Sequence, residues 1–221
     1  MKQRIQNMNL QNKRVILRLD LNVPIQNGQI LDDTKITSSL DTREYLLTQN
    51  CSIVILSHLG KIKEESDKEK YSLEPVALKL KSLLNREVYF SRENFGEGIY
   101  ERVKILKPRE IIVLENTRFM DLQGKMESHC DAQLSLFWAS LGDVFINDAF
   151  ASMHRRHAST CGIAEYLPNG IGFLVQKELE NLDKYILEPE HPFTLIMGGA
   201  KIDDKMDLIS SLLPKCDHIL C

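Results

Sequence analysis

The sequence predicts an α/β protein: a three-layer αβα lobe on a parallel, Rossmann-like sheet, followed by the opening βαβ unit of a second αβα lobe. Three observations predict it. Continuous apolar runs of strand length each break off into polar residues, as strands buried on both faces do. Between them, apolar residues recur at three- and four-residue spacing, the period of a helix that packs on one face. After Pro168 the alternation gives way to one long helical pattern, and beyond Pro192 it starts again.

The first strand is expected at 15–19, ended by Asp20. Ile36, Leu40 and Leu47 then mark a helix after the turn Asp32-Asp33-Thr34. A second strand at 53–56 stops at Ser57-His58, and the charged run 61–70 reads as a solvated loop. Leu73, Val76, Leu80 and Leu83 predict a helix with Ser72 as N-cap and Pro75 in its first turn, where a missing N–H costs nothing. Further strands are expected at 88–90, at 111–114 before Glu115-Asn116, and at 144–146 before Asn147-Asp148. Val175, Leu179, Leu182 and Ile186 share one face of a connecting helix stopped by Pro189 and Pro192. A strand at 193–197, the turn Gly198-Gly199, a helix through Ile202, Met206, Ile209 and Leu213, and a strand at 218–221 complete the pattern. The division is therefore a first lobe at 1–170, an interlobe helix at 171–189 and the start of a second lobe at 190–221. A lone βαβ unit cannot cover both faces of its sheet, so that second lobe reads as begun and unfinished.

Composition removes several functions. The 28 basic and 31 acidic residues nearly cancel, leaving no global basic field for nucleic acid or an anionic membrane. The polar first ten residues lack the apolar core of a signal peptide, and no stretch approaches the length of a membrane span. Five cysteines without C-x-x-C spacing suit reduced thiols, read as small buried hydrophobes, in a soluble cytoplasmic protein.

In an open parallel sheet, ligands sit outside the carboxyl ends of the strands. The residues found there are Asp20, Asn22, His58, Lys61, Arg118 and the block His154-Arg155-Arg156-His157. Lys35 joins them from a first helical turn, where its charge opposes the helix dipole unless an anion is bound. So many cations at one edge call for a small, multiply charged ligand of the phosphate-carboxylate kind. A second constellation, Gly198-Gly199-Ala200-Lys201 with Lys205 one turn on, would let backbone approach a phosphate with two lysines on one helix face. It is not a Walker A loop. His154 and His157 lack further ligands at zinc spacing, so no metal site is expected, and Ser57-His58 lacks the G-x-S-x-G context of a hydrolase.

In chain order, Arg18-Leu19-Asp20-Leu21-Asn22-Val23-Pro24, Ser57-His58-Leu59-Gly60-Lys61, Glu115-Asn116-Thr117-Arg118-Phe119, Asn147-Asp148-Ala149-Phe150 with His154-Arg155-Arg156-His157, and Gly198-Gly199-Ala200-Lys201 closely resemble the phosphoglycerate kinase family. The resemblance implies reversible phosphoryl transfer between 1,3-bisphosphoglycerate and ADP, giving 3-phosphoglycerate and ATP in glycolysis. Magnesium would ride on the nucleotide, held by no residue of this chain, and the protein would act as a hinge-bending monomer. It assigns Asp20 and Asn22 to the glycerate, and His58, Lys61, Arg118 and Arg155 to the phosphate that stays. Lys201 and Lys205 become nucleotide-side lysines, with Lys35 and Lys201 flanking the migrating phosphoryl group. Where the family usually has arginine, this chain carries Lys35 and Lys61, which keep the charge but lose the planar fork. The adenine pocket, glycine-rich phosphate loop and magnesium carboxylate of the family have no counterpart before Cys221. The 221 residues are accordingly expected to bind phosphoglycerate and to be inactive alone. The alternative is a truncated, non-catalytic paralogue that binds phosphoglycerate.

Overall fold

The computed structural model describes residues 2–122, 124–187, 189–198 and 206–220. They divide into two compact units, Met1–Gln176 and Lys177–Cys221, with the boundary inside a helix.

The first unit is built on a six-stranded, wholly parallel sheet. Its strands are β1 (Arg14–Leu19), β4 (Ser52–Leu56), β5 (Val88–Ser91), β6 (Ile111–Leu114), β7 (Val144–Asp148) and β8 (Asn169–Ile171), in the spatial order β5-β6-β4-β1-β7-β8. From β1 the chain winds outward to one side through β4. From β7, on the other side of β1, it winds the opposite way to β8, so the topological switch lies at the β1–β7 edge. Parity along each strand sorts the core into two layers. Val15, Leu17, Ile53, Ile55, Ile111 and Val113 pack with Ile36, Leu46, Val76 and Leu80 of the helices α1 (Thr34–Thr37), α2 (Leu40–Thr48) and α4 (Glu74–Leu84). Ile16, Val54, Leu56, Ile112 and Leu114 pack on the other face, against Ile99 and Val103 of α5 (Glu97–Lys104) and Leu134 and Trp138 of α6 (Ala132–Ala139). Each such aliphatic side chain, fully buried, contributes about 1.5–3 kcal/mol relative to exposure.

Several boundaries differ from the sequence expectation. β7 continues through Asn147 and Asp148, because β8 extends the sheet and pairs Ile171 with Asn147 while Leu19 of β1 faces Asp148. The N-cap of α4 is Leu73. Ser72 stands one residue before it, its hydroxyl accepting from Glu74 N at 3.2 Å, and Leu84 is buried at the far end where Leu83 was expected. The charged run contains one helical turn, α3 (Asp67–Lys70). A short hairpin, β2 (Ile25–Gln26) with β3 (Gln29–Ile30), turns on Asn27 and Gly28, both with positive φ. Among the described cysteines only Cys51, just before β4 and packed in the core, is buried; Cys130, Cys161 and Cys216 are half-exposed.

The helix after β8 is α7 (Phe173–Leu182), continued by a wider π-type turn at Asp183–Leu187. Asp148 receives Val175 N at 3.0 Å, and Thr42 Oγ1 receives Phe173 N at 2.9 Å, so the end of β7 and α2 together fix where α7 starts. The second unit contains β9 (Thr194–Ile196), α8 (Met206–Leu212), a tight 3-10 turn at Leu213–Lys215 and β10 (His218–Leu220), with the two strands parallel. Ile196, Leu213 and Leu220 are exposed there. No helix among the described residues is long and apolar enough to cross a membrane.

Candidate phosphoglycerate site

The site begins with a charge inside the sheet. Arg18 shares the parity of Ile16 on β1, so its side chain enters the layer beneath α5 and α6, where it is only 1% exposed. Burial lowers its pKa, and the carboxylates of Glu127 and Asp20 oppose that fall. Its Nε donates to Ser159 Oγ at 2.9 Å, Nη1 to Leu19 O, and Nη2 reaches His58 Nδ1 at 3.1 Å. Ser159 belongs to a π-type turn, Ala158–Gly162, and donates in turn through Oγ and its N–H to the fully buried Glu127 carboxylate. A buried cation is thus answered by a buried anion one hydroxyl away.

Above this floor, the loop after β1 folds back on the loop after β4. Ser57 Oγ donates to Leu19 O and receives Leu21 N, each at 2.9 Å. Asp20 receives Asn22 N at 3.1 Å and Lys35 Nζ at 2.9 Å, and Asn22 Oδ1 receives Gly60 N at 2.9 Å. Gly60 has a positive φ of 62°, and a Cβ there would lie 2.2 Å from the Tyr71 ring, so the turn needs glycine on both counts.

The third wall follows β6. Asn116 is fully buried, its Oδ1 receiving Leu59 N at 3.2 Å and Arg118 N at 3.1 Å, its Nδ2 donating to Leu59 O and Tyr71 O at 2.7 and 2.9 Å. That clasp starts the 3-10 turn Thr117–Asp121 and aims Arg118 at the site, where Nη1 donates to Gly60 O. Glu115 holds the α4 start by receiving Leu73 N and the Ser72 hydroxyl, both at 2.8 Å; burial raises its pKa and these donors oppose the rise.

Electrostatics gathers these residues around His58. Burial pushes its imidazole down to about 2, and the charges of Arg18, Arg118, Arg155 and Lys35 push the same way. His58 is therefore neutral and stands as a hydrogen-bonding group among cations, where the sequence had suggested another positive charge. Arg118 falls for the same reasons, burial first and then Arg155. Among the described residues, Asp20 is the carboxylate bonded directly to these groups, paired with Lys35.

Of the four-residue basic block, Arg155 is the member whose charge acts on both His58 and Arg118, from an exposed position. His157 turns to Glu127, 3.7 Å away, and burial lowers its pKa while Glu127 opposes. Arg156 is exposed and exerts its charge on Cys130, and His154 is exposed with no described side chain bonded to it. Lys61 is exposed and makes no ion pair with a described residue. Lys201 and Lys205, with Gly199, Ala200 and Ile202, lie outside the described residues. The sequence reading missed Arg18, Glu127, Ser159 and Asn116 as site supports. For Arg18 a signal was present: a charge set between Leu17 and Leu19 near the end of an apolar strand.

Comparison with known proteins gives the family of the chain and its fold. The family model described as phosphoglycerate kinase matches residues 5–221. The phosphoglycerate kinase of Fusobacterium nucleatum is 47% identical over 100% of this chain and 56% of its own length, and that of Mycoplasmoides gallisepticum 50% identical over 99% and 55%. The solved phosphoglycerate kinase from Coxiella burnetii superposes with a TM-score of 0.85 at 35% identity, covering 99% of this chain and 54% of its own, and that from Pyrococcus horikoshii with 0.86 at 33% identity over 98% and 54%. The chain spans about half the length of the curated relatives it matches. It belongs to the phosphoglycerate kinase family.

Proposed function

We propose that this chain forms the phosphoglycerate side of a glycolytic kinase that moves a phosphoryl group reversibly between 1,3-bisphosphoglycerate and ADP, giving 3-phosphoglycerate and ATP. The observation that supports this most is the set of charges acting on the neutral His58: Arg18, Arg118, Arg155 and Lys35, each from a different segment. A ligand with a phosphate at one end and a carboxyl group at the other suits such a set. Residues 1–170 are the phosphoglycerate lobe in this reading, 171–189 the interlobe helix and 190–221 the opening of the nucleotide lobe.

Each residue then has a role. Arg118, Arg155 and Lys61 neutralise the phosphate that is not transferred, and His58 donates to it. Asp20 receives a glycerate hydroxyl, and Asn22, whose Oδ1 is already committed to Gly60, offers its amide NH2. Lys35 is poised on Asp20 and shifts toward the migrating phosphoryl group, to which Lys201 is also assigned, and Lys205 is assigned to the nucleotide. Phosphoryl transfer needs positioning and charge neutralisation more than covalent help, which is what such groups supply. Magnesium, bound to the nucleotide, would stabilise charge on its phosphates. Asp20 is tied to Lys35 and no group of His, Cys, Asp or Glu among the described residues fits a metal ion, so none of them is assigned as its ligand. The protein acts as a cytoplasmic monomer in this account. Assayed as 221 residues alone it binds without robust turnover, since it spans about half the length of the enzymes it matches.

The test is nuclear magnetic resonance with 3-phosphoglycerate as the probe. The His58 ring and the backbone amides of Asn22, Gly60 and Arg118 should shift together and saturate. Shifts confined to other regions would remove the proposal.

A further inference from the structure

Two thiols beside the site stand close enough to react with each other. The Sγ atoms of Cys130 and Cys161 are 3.5 Å apart as free thiols, both half-exposed. Cys51 differs: it is enclosed and its thiol donates to Leu10 O. Burial pushes both the Cys51 and the Cys130 thiols up to about 11, and at Cys130 the neighbouring Cys161 adds to the rise, so exchange there needs alkaline conditions. Cys130 occupies a left-handed turn, with φ at 55°, and donates its N–H to Glu127 O. Cys161 sits in the Ala158–Gly162 turn. A Cβ on Gly162 would lie 2.1 Å from Ser135 Oγ and 3.2 Å from Cys130 Sγ, so the glycine lets this turn pack closely against α6 beside the two sulfurs.

We infer that Cys130 and Cys161 form a reversible dithiol–disulfide site that exchanges with small disulfides of the glutathione type. One protein thiolate attacks the small disulfide, forming a mixed disulfide and expelling one small thiolate. The second protein thiol loses its proton and attacks the protein sulfur of that mixed disulfide, expelling the second. In sum the two protein thiols give up two protons and two electrons, and the small disulfide leaves as two thiols. The sulfurs need only close from 3.5 Å to a bonded separation of about 2.05 Å.

The position gives the bond a consequence. Cys130 follows Glu127 by one turn, and Cys161 follows Ser159 by two residues in the same turn of chain. Glu127 and Ser159 are the pair that holds Arg18 beneath His58. The disulfide therefore staples the two segments that clamp the buried arginine.

The experiment treats the 221-residue chain with oxidised glutathione in mildly alkaline buffer, blocks remaining thiols, and maps the unreduced peptides by mass spectrometry. A peptide pair joined through Cys130 and Cys161 is expected. It should vanish on adding dithiothreitol and be absent from C161S, which should instead retain glutathione on Cys130. The oxidised chain should melt about 5–10 °C higher than the reduced one, as closing a loop of this length predicts. Stable glutathione adducts on both cysteines of the wild type, links to Cys51 or Cys216, no reaction, or an unchanged or lower melting temperature in the linked form would each overturn the proposal.

Discussion

Arg18 Nη2 donates to Nδ1 of His58 across 3.1 Å in the buried floor of the site. A guanidinium has no lone pair to offer, so Nδ1 must accept and the ring proton sits on Nε2. One buried arginine thereby sets the tautomer of the histidine above it, while burial first, and then the charge of that arginine, keeps the ring neutral. Nitrogen-15 shifts of the ring should report the neutral Nε2–H tautomer at pH 7, and R18M, which removes the donor, should mix the two tautomers.

The depressed His58 pKa also predicts how stability varies with pH. In the unfolded chain the ring titrates near 6.5, whereas in the folded state it stays neutral down to about 2. The unfolded state therefore takes up the proton first. Its contribution is whole above pH 6.5 and is lost as pH falls, at about 1.4 kcal/mol per pH unit toward 2. Urea unfolding at pH 7 and pH 5 should show the wild type losing about 1.5–2 kcal/mol more than H58N. Equal losses in the two proteins would refute the assignment.

Glu127 balances Arg18 through Ser159, so removing the carboxylate leaves a buried guanidinium without its counter-charge. E127A is expected to lose about 3–5 kcal/mol of stability, the range for breaking a buried charge pair. S159A, which keeps both charges, should lose less, about 1–2 kcal/mol. Chemical denaturation of both variants measures the order, and the reverse order contradicts it.

Much of this architecture is legible in the sequence. β1, β4, β6 and β7 are buried on both faces, and each reads as an apolar run, 15–17, 53–56, 111–114 and 144–146, with Arg18 the charge that interrupts β1 before Leu19. The edge strand β8 is three residues, Asn169-Gly170-Ile171, too short and too polar to carry a period. The eight residues of α6 are apolar on most sides, which blurs a helical stripe, although Asp131 caps it by receiving Leu134 N. At the site, the cations at strand ends stand out because polar residues interrupt apolar runs. Glu127 and Ser159 come from irregular turns, where no spacing marks a buried carboxylate or hydroxyl.

Gly60 carries a turn that both Asn22 and Arg118 grip. G60A should cost about 2–4 kcal/mol, from the positive φ and the clash with Tyr71 combined, and it should weaken ligand binding along with stability. Thermal melts and a binding titration on the same variant check both effects.

Lys35 keeps a point charge on Asp20, at 2.9 Å. In a full-length enzyme carrying this lobe, K35R should raise kcat severalfold, because a planar fork can hold two oxygens of the transferring group, while K35M should lower it by about 100-fold or more. Steady-state kinetics of the two variants decides the matter, and turnover unchanged in K35R counts against the assigned role.

In the function we propose, Arg118, Arg155, Lys35 and the neutral His58 form a phosphoglycerate clamp. Calorimetric titration of 3-phosphoglycerate into the chain and into R118A tests it most directly. Saturable one-to-one binding is expected, weakened about 10–100-fold in R118A and falling as salt is raised. No binding to the wild type, or equal affinity in R118A, would contradict it.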